Sequence, residues 1–414
     1  MFFIRRSLNG EAWEAGAQRG ESMRHHKYRT GSVCSGLVVA ALLMSCLALV
    51  TSREARSGEE EDRLNRPLTI APPFGAFLDS DVRGVYEIRG LERWLNGAEI
   101  RVGHTYLPGN NWTDIEGQVD FLDDWAVWRR ARADRMLVLN VPMQEHGESH
   151  VSDQRVRQLL QAGAAGQFDR HFKVLAEKLV TLKVPDTVIV LGWEMNGSTY
   201  THRCGPNPGA WKAYWRRVVA AMRSVKGQKF RFDFAPSRGH DAVPWTACYP
   251  GDEVVDVIGM DTYDQPTGQT FDSQVNEPLG LQQQIDFADT HHKYISYPEW
   301  GLFQNGDNPE YMRRMLEWMH LHPPLYNTIT DYCPHGVWRC GKNPKASQVY
   351  RSTLLACTRS ELSISSRMPK VQVAPSRTVQ VPRPSPQARP THASEASPLG
   401  ARHVRTTRCS PSAP

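Results

Sequence analysis

Residues 187–196 read Thr-Val-Ile-Val-Leu-Gly-Trp-Glu-Met-Asn, and residues 294–301 read Tyr-Ile-Ser-Tyr-Pro-Glu-Trp-Gly. Both contain a short apolar run without helical period, which is typical of a buried parallel strand. Each run is closed by a glutamate, Glu194 in the first and Glu299 in the second. A carboxylate at the C-terminal end of such a strand points into the mouth of an α/β barrel, where the chemistry of these folds takes place. Two facing carboxylates are also what cleavage of a glycosidic bond requires.

The middle of the chain alternates apolar runs of strand length with amphipathic stretches of helix length. The predicted strands cover residues 74–78, 99–102, 136–141, 187–191, 230–234, 254–258, 294–297 and 326–330, and predicted helices include residues 168–182, 211–225, 281–291, 309–321 and 344–354. Eight strand–helix units in roughly 290 residues predict an α/β fold of the (β/α)8 TIM-barrel type. A doubly wound open sheet would carry a glycine-rich loop after its first strand, and residues 74–81 contain none.

The N-terminus has the pattern of an export signal. Residues 33–50 are almost wholly apolar and follow Arg24, Lys27 and Arg29. Cleavage after Ser52 would release a secreted or periplasmic protein. The stretch is also just long enough to span a bilayer as an uncleaved anchor, and lipidation at Cys46 is a third alternative. We expect residues 1–52 to be the signal or anchor, 53–67 a linker and 68–360 the barrel domain.

The basic charge of the chain lies at its ends. The 414 residues carry a net charge of +5. The tail from Ser365 has eight basic residues and one acidic residue, and the first 31 residues have six basic and three acidic. Residues 32–364 therefore carry a net charge of −5, which argues against nucleic acid as a partner. Residues 361–414 are rich in Pro, Ser and Arg without apolar periodicity, and we expect them to be disordered.

Four of the eight cysteines fall in predicted loops after strands. Cys333 and Cys340 form the most local candidate pair, and Cys204 with Cys248 would join two neighbouring loops at the barrel mouth. An exported chain can oxidise such pairs to disulfides. Free thiols are the alternative. A zinc site lacks the supporting ligand spacing.

Three residues are candidates for the chemistry itself. Glu194 follows five apolar residues and a tryptophan, so desolvation should raise its carboxyl pKa, as a general acid requires. Glu299 would act as the nucleophile and must stay ionised, so it should receive hydrogen bonds. Tyr263, in Gly-Met-Asp-Thr-Tyr-Asp at the end of the neighbouring strand, is placed to donate one. A buried tyrosine with a core hydrogen bond is the alternative for Tyr263.

Together, Gly-Trp-Glu-Met-Asn-Gly, Asp-Val-Ile-Gly-Met-Asp-Thr-Tyr-Asp and Pro-Glu-Trp-Gly resemble glycoside hydrolase family 26, a family of retaining barrel glycosidases that includes β-mannanases. In that clan the acid/base glutamate ends the fourth strand and the nucleophile ends the seventh. The strand count independently places Glu194 and Glu299 there. The resemblance implies that Tyr263 contacts the nucleophile. It covers residues 74–350, with only the pattern matching over the first three strands.

The sequence departs from the family directly before the acid/base glutamate. The family usually has histidine there, and this chain has Trp193. An indole ring offers a flat apolar wall and one N–H donor in place of imidazole. The difference weakens any transfer of mannan specificity and suggests another exopolysaccharide or wall glycan as the substrate.

Sugar binding requires aromatic faces and polar groups around the mouth. Trp112, on the loop after the second strand, is the best candidate stacking platform, with a packed loop anchor as the alternative. Trp193 and Trp300 flank the glutamates and are either subsite walls or core. The polar and aromatic candidates for substrate contact are Asn196, Tyr200 and Asp261.

The prediction is an exported retaining glycosidase, endo-acting on a β-linked polysaccharide such as mannan, glucan, xylan or an exopolysaccharide. We expect a monomer that needs no metal or cofactor, because the carboxylate pair suffices for the reaction, and that meets a membrane only through its N-terminal segment. The alternative is a catalytically silent carbohydrate-binding barrel of a surface polysaccharide system.

Overall fold

The computed structural model describes residues 72–148 and 150–354. These residues lie in one compact unit. The predicted export segment, the linker and the tail fall outside the described residues. Among the described helices, none is both long and apolar enough to cross a bilayer.

Eight parallel strands close into a barrel. They are β1 (Phe74–Phe77), β2 (Val102–Tyr106), β3 (Met136–Val141), β4 (Val188–Leu191), β5 (Arg231–Phe234), β6 (Val257–Gly259), β7 (Tyr294–Gly301) and β8 (Asn327–Thr330). Each pairs with its sequence neighbours, and β8 returns to β1 through Phe74 to Phe77. A two-residue strand, Thr262–Tyr263, continues β6 and pairs with the last residues of β7. The predicted TIM barrel is confirmed.

Helices cover the outside of the barrel. They are α1 (Val82–Trp94), α2 (Trp112–Ile115), α3 (Phe121–Arg130), α4 (Asp153–Ala164), α5 (Asp169–Thr181), α6 (Pro208–Arg223), α7 (Phe271–Asn276), α8 (Leu281–His291) and α9 (Pro309–Leu321), with a last helix over residues 344–354. Side-chain caps mark the starts of α6 and α9. Asn207 and Asn308 each accept a hydrogen bond from the backbone N–H three residues later, and each is followed by a proline, which has no N–H to satisfy.

Three predicted strands have clearly different bounds in the structure. The sixth was predicted over residues 254–258, but β6 runs only from Val257 to Gly259. The second strand was predicted over residues 99–102, but β2 runs from Val102 to Tyr106, where it pairs with β1 and β3. The seventh was predicted to end at Tyr297, but β7 continues to Gly301 and contains Glu299. The second and seventh segments contain glycine, proline and polar residues, which have a low intrinsic preference for strands. Pairing with the neighbouring strands stabilises them nevertheless.

The barrel interior is filled in layers by side chains that point inward. Valines of β2, β3 and β4 form an apolar layer with Tyr326. Above it, His104 of β2 is bonded to Asn140 Oδ1 (2.9 Å) and Thr328 Oγ1 (3.0 Å). Burial lowers the pKa of His104 to about 4, so the ring is neutral at physiological pH.

Asp233 of β5 lies in the same interior and is fully buried. Its Oδ2 accepts hydrogen bonds from Ser296 Oγ and Tyr326 OH, both at 2.6 Å. Burial raises the pKa of Asp233 to about 7 despite these donors. Gly259 of β6 packs against this carboxyl, because a Cβ atom there would lie 2.5 Å from Asp233 Oδ1. Only glycine fits that position.

Both predicted disulfides are present. Cys204–Cys248 joins the loop after β4 to the turn of 3₁₀ helix Trp245–Cys248 and closes a segment with a sequence separation of 44. Cys333–Cys340 closes a separation of 7 in the loop after β8. The prediction of disulfides is confirmed, and the alternative of free thiols at these four positions is wrong.

We expect the two disulfides to stabilise the fold unequally. In the chain-entropy account, replacing Cys204 and Cys248 together by serine costs about 4 kcal/mol, against about 2.5 kcal/mol for the Cys333 and Cys340 pair, because the first closes the longer loop. Urea unfolding of the two double variants measures the difference. An equal or greater loss in the Cys333/Cys340 variant would contradict the expectation.

Candidate active site

A β-bulge in β7 directs Glu299 into the barrel. Tyr297 pairs with Asn327 and Trp300 with Ile329, so β7 has one more residue than β8 between these pairs. Below the bulge, Ser296 points inward to Asp233 and Tyr297 points outward, where its OH accepts from Trp318 of α9. Regular alternation would turn Glu299 outward. The extra residue reverses the phase, so Glu299 faces the interior.

Glu299 sits in a nearly closed polar site. Its side chain is 8% exposed, and its Oε2 accepts a 2.8 Å hydrogen bond from Tyr263 OH. The same hydroxyl lies 2.9 Å from Thr330 Oγ1. Burial raises the pKa of Glu299 to about 7, and the charge of Glu194 adds to this, whereas hydrogen bonding from Tyr106 and Tyr263 opposes it.

Glu194 lies beyond the end of β4 on a turn with unfavourable backbone angles. Gly192 has φ +56° and Glu194 has φ +48°, the left-handed region that a side chain rarely adopts. The Glu194 amide donates to Ala235 O at 2.8 Å and holds the turn against the loop after β5. Glycine suits position 192 because of this positive φ, and a Cβ there would also lie 2.6 Å from Met143 Sδ. A non-glycine residue held in this region is a feature of functional sites.

The burial of the two glutamates differs from the expectation. Glu194 is half-buried and Glu299 is the more deeply buried of the two. The charge of Glu194 contributes to the raised pKa of Glu299, so the two carboxyls titrate as an interacting pair. A singly protonated pair is the form that acid catalysis with an ionised nucleophile needs.

Asp261 is a third carboxyl beside this pair. It is 3% exposed, and neither oxygen has a hydrogen bond of normal geometry among the described residues. Burial raises the pKa of Asp261 well above its usual value, as do the charges of Glu299 and Glu194, while the nearby Glu299 amide lowers it. The structure therefore brings Asp261 next to both glutamates.

Trp193 and Tyr200 form a wall beside the glutamates. The Trp193 Nε1–H donates to Tyr200 OH at 3.0 Å, and the indole meets the Tyr106 ring edge-on at 5.4 Å. Burial raises the pKa of Tyr200, and the charges of Glu194 and Glu299 add to this. His202 is buried behind this wall. Its ring stacks on Tyr200, and its Nε2 is hydrogen-bonded to Trp193 O.

The side chain of Asn196 is hydrogen-bonded to the backbone of Ser237. Its Nδ2 donates to Ser237 O at 3.0 Å and its Oδ1 accepts from Ser237 N at 2.9 Å, so both ends of the amide hold the loop after β5. The predicted contact of Asn196 with substrate is not supported by this position.

Two predicted sugar platforms lie elsewhere. Trp112 starts α2 and stacks on His171 (4.2 Å) and Phe168 (4.7 Å), so it anchors its loop to the region of α5. Trp300 is fully buried behind the sheet, where its Nε1 donates to Asn327 Oδ1. Of the two alternatives predicted for Trp300, a subsite wall and the core, the structure supports the core, because the bulge turns the ring outward.

Sequence reasoning missed several residues at the mouth. Tyr106 of β2 acts on Glu299, and Thr330 of β8 contacts Tyr263. Both follow from period-two alternation, Val102-His104-Tyr106 and Tyr326-Thr328-Thr330, once the strand bounds are correct. Burial raises the pKa of Tyr332, and the charges of Glu299, Glu194 and Glu148 add to this.

Within the described part of the chain, no group of three or more His, Cys, Asp and Glu side chains is arranged to hold a metal ion. The carboxyl groups of the mouth are surrounded instead by tyrosine hydroxyls and the Trp193 indole. This arrangement allows one carboxyl group to donate and accept a proton, and it allows hydrogen bonds to stabilise another as an ionised nucleophile.

A parallel barrel with a glutamate pair at its mouth defines the class of a barrel glycosidase. Residues 150–284, about a third of the chain, match the family described as Glycosyl hydrolase family 26. The segment includes Glu194, Asp261 and Tyr263, and Glu299 lies beyond it. None of the curated proteins matches the chain in sequence.

Solved structures share the fold. A family 26 β-mannanase from Bacteroides ovatus superposes with a TM-score of 0.50 at 16% identity, over 72% of this chain and 94% of its own. A Cellulomonas fimi endo-β-1,4-mannanase double mutant gives 0.50 at 18% identity, over 64% and 65%. A family 26 protein from a Muricauda species gives 0.50 at 16% identity, over 70% and 86%. The chain is a relative of glycosyl hydrolase family 26, as its motifs predicted, and a glycosidase acting on O-glycosyl bonds.

We expect the interior carboxyl Asp233 to make stability depend on pH. The folded protein holds its proton up to about pH 7, whereas the unfolded chain releases it near pH 4, so rising pH favours unfolding across this window. Asp233→Asn removes that dependence. The unfolding free energy of the wild type minus that of the variant should therefore fall by up to about 4 kcal/mol between pH 4 and 7.5.

Urea unfolding across that range measures the difference. Comparing the two proteins cancels the opposite contribution of His104 and His202, whose pKa values burial lowers to about 4. A difference that stays constant or grows with pH would show that Asp233 is ionised in the folded protein.

Proposed function

We propose that this protein is a retaining glycoside hydrolase in which Glu299 is the nucleophile and Glu194 the general acid and base. The observation that carries the proposal is the setting of Glu299. It is the buried inward carboxyl of β7, bonded by Tyr263 at 2.8 Å and coupled in charge to Glu194.

The first step forms a bond from a Glu299 oxygen to the anomeric carbon and breaks the bond from that carbon to the leaving oxygen. Glu194 gives its proton to the leaving oxygen. In the second step Glu194 takes a proton from water, the resulting hydroxide attacks the anomeric carbon, and Glu299 leaves as a carboxylate. The net change is hydrolysis with retained configuration.

The tyrosines support the nucleophile. Tyr263, itself in contact with Thr330, donates to Glu299 and fixes its orientation. Both Tyr263 and Tyr106 favour the ionised carboxylate against the cost of burial. As the glycosyl ester forms, the charge of Glu299 is lost, and the proton of Glu194 is lost at the same time, so the pair keeps its single negative charge.

The proposed substrate is a β-linked polysaccharide cleaved internally, with mannan the first candidate. The Bacteroides ovatus and Cellulomonas fimi structures that share this fold are mannanases, which supports that choice. Trp193 in place of the family's histidine leaves glucan, xylan or an exopolysaccharide as further candidates. The aromatic cluster of Phe77, Tyr106 and Tyr332, with ring centroids 4.7 and 6.1 Å from Phe77, offers a sugar-stacking wall in place of Trp112.

We propose further that the enzyme is exported, because residues 33–50 have the composition of a signal or anchor. The two disulfides among the described residues support an oxidising compartment. Secreted and periplasmic destinations both fit this composition.

The roles of the glutamates are separable by chemical rescue. We expect Glu299→Ala and Glu194→Ala each to lose at least a thousandfold in kcat/KM on polysaccharide. With an aryl glycoside of low leaving-group pKa, azide should restore turnover in both variants. Glu299→Ala should yield the glycosyl azide of inverted configuration, because azide attacks directly. Glu194→Ala should yield the retained one, because azide replaces water in the second step.

Glu177→Gln is the matched control, since Glu177 lies exposed on α5 and should keep wild-type activity. Unchanged activity in Glu299→Ala, or identical azide products from both variants, would overturn the assignment. Glycan binding by the wild type without any turnover would instead indicate a carbohydrate-binding barrel.

A further inference from the structure

Pro298 and Glu299 form the bulge of β7, opposite the single residue Thr328 of β8. The register shifts between Tyr297 and Trp300, so two residues of β7 face one residue of β8 there. A bulge disrupts the regular ladder of hydrogen bonds, and proline has no N–H with which to join it. The direction of Glu299 therefore depends on what else holds this segment.

Thr328 holds the bulge through its side chain. Thr328 is fully buried, and its Oγ1 donates a hydrogen bond to Pro298 O. The Pro298 carbonyl and the Glu299 nitrogen belong to one planar peptide unit. Fixing the carbonyl fixes the plane from which the chain continues into Glu299. The Thr328 hydroxyl therefore acts on the direction of the proposed nucleophile.

The proton of the Thr328 hydroxyl determines how His104 must be protonated. Thr328 Oγ1 also lies 3.0 Å from His104 Nδ1. A hydroxyl carries one proton and a carbonyl oxygen cannot donate, so this proton lies between Thr328 Oγ1 and Pro298 O. The contact with His104 is then a hydrogen bond only if Nδ1 carries a proton and donates it to Oγ1.

The other nitrogen of the His104 ring meets an amide. His104 Nε2 lies 2.9 Å from the side-chain amide of Asn140, and the ring is fully buried. Both partners of the ring are neutral, and an unpaired charge in such a place is costly, so the ring holds a single proton. Burial lowers the pKa of His104 to about 4, in agreement with this state. With the proton on Nδ1, Nε2 is an acceptor and requires an N–H donor.

The Asn140 amide can supply that donor in its other orientation. The two orientations of an amide have nearly the same shape and are distinguished by their hydrogen bonds. With Oδ1 toward the ring, Asn140 Nδ2 has no hydrogen-bond partner among the described residues. Turned over, Nδ2 donates to His104 Nε2 and the atom without a partner is an oxygen. Among backbone groups, buried carbonyls without a partner are commoner than such N–H groups.

We propose that His104 is a positioning residue for Glu299, that it carries its proton on Nδ1, and that it acts through Thr328 on the Pro298 carbonyl. The hydrogen bonds then run in one direction, from Asn140 through His104 and Thr328 to Pro298. This inference rests on the proposed role of Glu299 as the nucleophile. His104, Asn140 and Thr328 lie outside both the sequence motifs and the segment that matches the family.

Nitrogen NMR of the wild-type protein, labelled in its histidine rings, tests the tautomer. Protonated and bare ring nitrogens have well-separated shifts, and correlations to the ring protons distinguish Nδ1 from Nε2. His104 is identified by proton contacts with Phe77 and Tyr106, whose ring centroids lie 5.7 and 4.8 Å away. We expect a proton on Nδ1 and none on Nε2 at neutral pH. A proton on Nε2, alone or with one on Nδ1, would overturn the inference whether or not the protein hydrolyses a glycan.

Thr328→Val tests the positioning, because it removes the hydroxyl with little change in volume. With an aryl glycoside we expect kcat/KM to fall by about tenfold to a hundredfold, the cost of a misplaced reacting group. In Glu299→Ala, where azide from solution is the nucleophile, the same substitution should change the rescued rate by less than about twofold, because no carboxylate remains to be positioned. Thr328→Ser keeps the hydroxyl and should recover most of the activity.

Thr187→Val is the matched control. Thr187 is also a buried threonine whose Oγ1 donates to a backbone carbonyl, Val184 O at 2.8 Å, but it precedes β4 at the end of the barrel opposite the mouth. Urea unfolding should show a similar loss of stability in Thr187→Val and Thr328→Val, with kcat/KM unchanged in the control. Equal losses of rate from Thr328→Val with and without Glu299 would overturn the positioning role.

His104→Asn and His104→Gln test the ring itself. An asparagine amide reaches about as far as Nδ1 and a glutamine amide about as far as Nε2, so only His104→Asn can still donate to Thr328. We expect His104→Asn to keep about fivefold more of kcat/KM than His104→Gln, the size of one hydrogen bond. The azide-rescued rate of Glu299→Ala should be the same with either substitution. The reverse order of the two variants would contradict the assignment of the proton to Nδ1.

Discussion

The one-residue bulge of β7 determines how the mouth of this barrel is built. It turns Glu299 inward after Ser296 and sends Trp300 into the apolar layer behind the sheet. Without it, the β7 carboxylate would face the helices and could not receive the Tyr263 hydroxyl. Bulges next to active sites commonly redirect a side chain in this way. The chemistry proposed here therefore depends on a local irregularity of the fold.

Burying an ionisable pair is costly, and the surrounding structure reduces that cost. Tyrosine hydroxyls stabilise Glu299 when it is ionised, whereas burial and the charge of Glu194 raise its pKa. The left-handed turn at Glu194 is held by the Ala235 carbonyl and by the Asn196 amide on Ser237. The Cys204–Cys248 disulfide ties the same loop further along. Local strain at the site is thus supported by ordinary bonds around it.

Much of the fold could be predicted from the sequence because the strands are apolar runs with clear breaks. The strand count placed both glutamates correctly, and the cysteines in neighbouring loops indicated their pairs. Trp300 could not be placed, since a bulge leaves no pattern in a single sequence. Tyr106 was missed because β2 contains glycine and polar residues. Asn196 and Trp112 have side chains suited to sugars, and only the tertiary contacts show that they are engaged elsewhere.

In the proposed mechanism, Glu299 forms a covalent bond to the sugar while Glu194 donates and removes the proton. Proton NMR of the first product, recorded on a β-linked oligosaccharide before mutarotation, tests this claim most directly. We expect the β-anomer to appear first, because two displacements at the anomeric carbon retain its configuration. Initial release of the α-anomer would show a single displacement by water and would contradict the role given to Glu299.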